Sequence, residues 1–144
     1  MTIELAMRLM EVMLGLCFIQ QSCEYLRTEL QADIRALFLS RIICATMLIA
    51  NIMTPVACIS LCIISILMLH RFNGPYNGGS DRMGNLILFC LTIGLIIPAW
   101  QEYALGYLAL QLILSYFISG SVKLINPAWR SGQALMDVFA FSAY

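Results

Sequence analysis

The chain has 144 residues, of which 61% are hydrophobic and 11% charged, and its mean hydropathy is +0.86. A soluble domain carries roughly 25% charged residues, so a protein solvated by lipid is expected. Lys and Arg balance Asp and Glu at zero net charge. With no basic stripe to follow a phosphate backbone, nucleic-acid binding is not expected.

The first apolar segment runs from about Ile3 to Glu24. Its start, Met1-Thr2-Ile3-Glu4, lacks the positive region that opens a signal peptide, so the segment is expected to be a retained span. Glu4, Arg8 and Glu11 recur at steps of four and three and share one helix face. That face should turn toward protein or the interface, because a charge at the membrane centre is costly. A polar connector, Tyr25 to Asp33, leads into an apolar run from Ala36 to Leu69. The run is too long for one span of about 20 residues and suits two short ones. Asn51-Ile52-Met53-Thr54-Pro55 offers the break, with Thr54 as cap and Pro55 at the first helical position. One long Pro-kinked helix is the alternative.

Charge placement favours the break. Five spans at about 3–24, 35–52, 55–71, 83–99 and 103–122 put Arg27, Arg35, Arg71, Arg82, Lys123 and Arg130 on one side. The opposite side receives the Asn51–Thr54 and Trp100-Gln101-Glu102 turns, which carry no Lys or Arg. The expected orientation has the N-terminus outside and the C-terminus cytoplasmic, in a bacterial inner membrane.

The longest polar interruption is Phe72 to Met83. Pro75 and Gly78-Gly79 make it a shaped turn, Ser80 is placed to cap the helix that follows, and Asp81 falls at that helix's positive end. It reads either as a plain connection between spans or as a functional loop. The fourth segment ends near Pro98-Ala99-Trp100, where Trp100 and Tyr103 suit a membrane interface; in the fifth, Gln111 needs a partner near mid-membrane, and Ser115 and Ser119 stand at small-xxx-small spacing, a polar face read as a helix contact. Asn126 and Pro127 then read as a cap and first turn. Trp129, Leu135, Val138 and Phe139 against Arg130, Gln133 and Asp137 suggest a short amphipathic helix lying in the interface. The expected fold is all-α: one transmembrane domain over residues 1–144, an integral membrane bundle of about five transmembrane helices plus that C-terminal interfacial helix.

The six cysteines, Cys17, Cys23, Cys44, Cys58, Cys62 and Cys90, form no CxxC pair. They are read as small buried hydrophobes without disulfides, and no metal site is expected. The single histidine, His70, falls where a span meets the polar loop and reads as an interfacial polar group.

Two stretches together carry a family resemblance. Phe72-Asn73-Gly74-Pro75-Tyr76-Asn77-Gly78-Gly79-Ser80-Asp81, then Tyr116-Phe117-Ile118-Ser119-Gly120-Ser121-Val122-Lys123-Leu124 with Trp129, resemble the HTTM domain over roughly Leu61 to Val138. HTTM is the membrane region shared by the vitamin K-dependent γ-glutamyl carboxylase and many bacterial proteins. The resemblance implies a catalytic base at Lys123, the position matching the carboxylase lysine implicated in oxidising the quinol. A lysine at a span's end, partly desolvated, suits such chemistry, and it equally suits a snorkelling positive charge. The chain departs from the carboxylase in lacking a histidine near Asn77, in lacking the further spans and lumenal domain, and in placing Lys123 on the cytoplasmic side.

The expected function is a small non-catalytic membrane subunit packed in a larger membrane complex, with membrane lipids and other subunits as partners and with lipid or quinone as contacting molecule. The alternative is half of a carboxylase-like or quinone-linked enzyme, with Lys123 as base and Asn77, Asp81 and Arg82 orienting substrate. A transporter ranks below both, since no inverted repeat is visible. The candidate contact residues are Asn77, Ser80, Asp81, Arg82, Trp129 and Arg130. Lys123 is expected to meet Asp81, with the Asn77–Arg82 loop beside the Lys123–Trp129 segment at one membrane face.

Overall fold

The computed structural model describes residues 2–27, 31–71 and 80–140. Among them every regular element is helical: α1 (Ile3–Leu26), α2 (Ala32–Ile49), α3 (Thr54–Arg71), α4 (Ser80–Ile96), a 3-10 turn (Pro98–Trp100), α5 (Gln101–Ile125), α6 (Pro127–Arg130) and α7 (Gln133–Ala140). The expected break between the second and third segments is present, since α2 stops at Ile49 and α3 starts at Thr54. The chain divides into two compact units, Met1–Gly106 and Tyr107–Tyr144.

The first unit is a ring of four helices in which each packs on the next and α1 closes on α4. Contacts at both ends set an antiparallel order. Near the start of α1, Arg8 donates to the carbonyls of Leu48 and Ile49 at the end of α2. At the other end, Arg71 of α3 pairs with Asp33 of α2. Phe18, Leu48, Leu61, Leu88 and Leu91 are fully buried between the four helices. Packed helices gain from close van der Waals approach of their backbones. Gly15 provides it: a Cβ there would lie 2.6 Å from Ile49 Cγ1 and 3.1 Å from the Ala45 carbonyl oxygen. The α2–α3 turn is tight, with Asn51 at φ 58° and Met53 at φ 46°, and Asn is one of the few residues that enters this left-handed region readily.

One local expectation is corrected here. Thr54 does not cap α3 by accepting a backbone hydrogen bond; it is the first helical residue, and its Oγ1 donates to Asn51 Oδ1 at 2.9 Å. The carbonyl of Met53 takes the first helical bond, from Ala57. Pro55 still falls in the first turn, where its missing N–H costs nothing.

In the second unit, Asn126 caps α6 as read from the sequence, its side chain accepting from Ala128 N at 3.0 Å with Pro127 at the first position. The C-terminal segment is two helices rather than one. Gly132, at φ +82°, turns the chain after α6, and α7 begins at Gln133. In α7, Gln133 Nε2 donates to Asp137 Oδ1 at 2.8 Å, while Leu135, Val138 and Phe139 are exposed.

Two helical stretches, Thr54–Arg71 and Pro98–Ile125, are long and apolar enough to cross a membrane by length and composition. The other three expected spans do not meet that standard by themselves. Arg8 and Glu11 lie in α1, Asp33, Arg35 and Arg41 lie in α2, and α4 has 17 residues, about 25 Å of helix.

Candidate functional site

Within the four-helix unit a polar cluster is built from side chains of all four helices. Arg41 sits half-way along α2 and is 7% exposed. Its guanidinium carbon lies 4.0 Å over the ring of Phe18 on α1, a cation–π contact suited to the flat, weakly hydrated Arg head. Arg41 Nη2 donates to Gln21 Oε1 at 3.1 Å, and Gln21 Nε2 donates to Asp81 Oδ1 at 3.2 Å. One amide thus links a cation on α2 to an anion on α4. The pair carries no net charge, which lowers the cost of holding either member away from water.

Beside this relay lies a cavity of about 50 Å³, lined by Tyr25 of α1, Arg41 of α2, Ser65, Met68 and Leu69 of α3, and Asp81 and Asn85 of α4. Among the described residues, Ser65 Oγ and Asp81 Oδ2 of this lining are buried without a hydrogen-bond partner. A buried polar atom left unmatched costs about 1–3 kcal/mol, so the cavity is a place where a further polar group is favoured. Met68 and Leu69 supply an apolar wall, and the rings of Tyr25 and Phe38 stack at 5.1 Å between the ends of α1 and α2.

A second polar cluster, formed by the start of α1 and the end of α2, differs in that no buried polar side-chain atom of Arg8 or Glu11 is left without a partner among the described residues. Arg8 Nη1 lies 2.6 Å from Glu11 Oε2 and 2.9 Å from the Leu48 carbonyl, and Nη2 reaches the Ile49 carbonyl. Glu11 is 4% exposed. A cation here also satisfies the negative end of α2. The shared face read for Arg8 and Glu11 is therefore turned toward protein, while Glu4 is exposed.

The residues singled out from the sequence fall in different places. Asp81, in the first turn of α4, belongs to the cavity. Ser80 opens α4, Arg82 is exposed one position after Asp81, and Asn77 lies outside the described residues. Lys123, Trp129 and Arg130 belong to the second unit, where Lys123 Nζ sits 4.8 Å over the Trp129 ring. Asp81 belongs to the first unit, where its described partner is Gln21, and Lys123 has Trp129 within the second. His70 is exposed at the end of α3, and the six cysteines are free thiols. Among the described residues no group of three His, Cys, Asp or Glu side chains is placed to hold a metal ion.

Arg41 is the residue the sequence reading passed over, along with Gln21 and Ser65. It lies inside the apolar run from Ala36 to Leu69, where an ionisable side chain needs a partner and so points to a site.

Comparison with known proteins finds no matching family model, no matching curated protein and no matching solved structure.

Proposed function

We propose that the protein is an integral membrane subunit, with α1 to α5 as five spans and α6 and α7 at the interface, that packs against other membrane proteins and performs no catalysis of its own. The observation that carries this reading is the polarity of the four-helix unit. Its interior holds Arg41, Glu11, Ser22, Ser65 and Thr92, while Met13 on α1, Ile43 on α2, Ile63 on α3 and Ile93 on α4 face outward. Water would punish both choices; lipid rewards the outer one and makes the inner groups satisfy one another. The ends of the unit support the proposed orientation, since Arg35, Arg71 and Arg82 all fall at the end where α2 and α4 begin and α3 stops.

Contact with further membrane subunits is supported by α5. Ser115 and Ser119 are exposed on it, and a Cβ at Gly106 or Gly120 would meet nothing within 4 Å. Small residues of this kind let another helix approach closely. The HTTM-like kinship of Phe72–Asp81 and Tyr116–Trp129, and the bacterial inner-membrane location, are part of the same proposal. Lys123 over Trp129 suits a cation anchored at an interface.

Native purification in mild detergent tests the reading. The chain is expected to stay in the membrane fraction through alkaline extraction and to migrate with larger partners. A monodisperse species of only 16.1 kDa of protein at native expression refutes the subunit role. Lys123→Ala separates it from the enzyme alternative: assembly and function should survive that substitution, and loss of function with intact assembly would favour a base at Lys123.

A further inference from the structure

We propose that the cavity beside Asp81 is a binding site for the alcohol head of a neutral aliphatic lipid, whose hydroxyl donates to Asp81 Oδ2 and accepts from Ser65 Oγ. The inference rests on the lipid-embedded reading of the four-helix unit and goes beyond it by assigning a ligand class.

The chemistry follows from what the cavity leaves unmatched. Ser65 is 3% exposed, lines the cavity, and its Oγ has no partner. Asp81 Oδ1 is engaged by Gln21, while Oδ2 is buried and has none. An ionised carboxylate oxygen only accepts, so the missing group must donate; a serine hydroxyl both donates and accepts. A single hydroxyl meets both demands. Charge argues against an ionised head. Arg41 and Asp81 already balance through Gln21, so a cationic or anionic head would bring an uncompensated charge into the bundle.

Size and surroundings narrow the class further. A cavity of about 150 Å³ is what benzene occupies, whereas this one holds about 50 Å³. A primary alcohol on a methylene chain fits such a space. Leu69 lines the cavity and is 52% exposed, so the space reaches the outer surface of α3. Met68 supplies the buried apolar wall on the same helix. A chain attached to the bound hydroxyl would leave past Leu69 into the hydrocarbon that surrounds the bundle.

The full chain in phosphatidylcholine nanodiscs, whose lipid carries no free hydroxyl, is labelled with a diazirine derivative of hexadecanol, and the modified peptides are mapped. Saturable labelling of the segments holding Tyr25 and Met68–Leu69 is expected, displaced by hexadecanol and not by hexadecane, palmitate or hexadecylammonium. Ser65→Ala and Asp81→Asn should each weaken apparent affinity about tenfold, the factor that follows from one lost hydrogen bond. Leu69→Trp, which fills the opening and leaves both polar groups in place, should abolish labelling without lowering the thermal midpoint. Displacement by dioleoylglycerol assigns the alcohol to a diacylglycerol, and its failure assigns it to a single-chain alcohol; both results support the site. Non-saturable labelling, displacement by hexadecane or by either charged amphiphile, or unchanged labelling in the Ser65→Ala/Asp81→Asn double variant overturns it. Failure of the chain to enter nanodiscs counts against the membrane reading and is seen before any labelling is measured.

Discussion

Arg8→Met should be among the most damaging single substitutions in the four-helix unit. Arg8 joins Glu11 at 2.6 Å and the Leu48 carbonyl at 2.9 Å, and also reaches the Ile49 carbonyl. Its loss leaves the Glu11 carboxylate, 4% exposed, without its counter-ion and uncaps the end of α2. Breaking a buried pair from one side costs about 3–5 kcal/mol. Arg8 itself is one-third exposed, so the lower part of that range applies, about 3 kcal/mol, or roughly a hundredfold in the folding equilibrium. Glu11→Gln keeps a hydrogen-bonding group of the same shape and leaves Arg8 on two carbonyls, so it should cost about 1–2 kcal/mol. The double variant Arg8→Met/Glu11→Leu removes both charges together and should cost clearly less than the sum of Arg8→Met and Glu11→Leu measured singly. Equilibrium unfolding in mixed micelles, followed by tryptophan fluorescence, gives the three free energies of that cycle. A double variant that costs the full sum shows no coupling and refutes the account.

Other substitutions probe the remaining contacts. Gly15→Leu should force α1 from α2 and cost at least about 1–3 kcal/mol in the same unfolding assay, because a Cβ there already meets Ile49 Cγ1 at 2.6 Å. Gly84→Ala is the control: its Cβ would lie 3.5 Å from Phe18 Cε1, an ordinary contact, and stability should hold or rise. Arg41→Lys should not restore what Arg41→Met loses, since an ammonium cannot lie flat on Phe18 while reaching Gln21; equal midpoints for Arg41→Lys and the unsubstituted chain would contradict this. Asp33→Asn should change stability by less than about 1 kcal/mol, because the Asp33 and Arg71 side chains are 50% and 54% exposed and water screens the pair.

The helices were legible in the sequence because their boundaries are written in local chemistry. Asn51 to Pro55 breaks the long apolar run where an Asn-containing turn and an N-terminal proline demand it, and Asn126-Pro127 starts α6 for the same reason. The split at Gly132 was less visible, since α6 and α7 share one apolar pattern and only a single positive φ separates them. Side-chain partnerships were harder still. Asp81 stands out in the sequence for its place at a helix start, but nothing local to it names Gln21, sixty residues earlier, as its partner. Hydropathy averaging hid Arg41, Gln21 and Ser65, because one polar residue among ten apolar ones barely moves a mean. Which apolar-looking face holds the polar residue depends on rotation of each helix about its axis, and that is set by packing at positions such as Gly15 and Phe18.

The two polar clusters of the four-helix unit differ in saturation, and this divides their roles. In the Arg8 cluster the cation meets one carboxylate and two carbonyls, so a ligand could enter only by displacing bonds already made. Such a cluster locks two helix ends together and carries its value in stability. In the Asp81 cluster the relay through Gln21 fixes the geometry, yet Asp81 Oδ2 and Ser65 Oγ remain unmatched around an open space. Folding alone would favour leucine or alanine at such positions, because an apolar replacement removes the cost of burying an unmatched polar atom. Ser65→Ala should therefore hold or raise thermal stability while weakening alcohol binding. A loss of stability in Ser65→Ala comparable to that in Arg8→Met would mean that the hydroxyl is part of the packing, and the division between a structural and a binding cluster would fall.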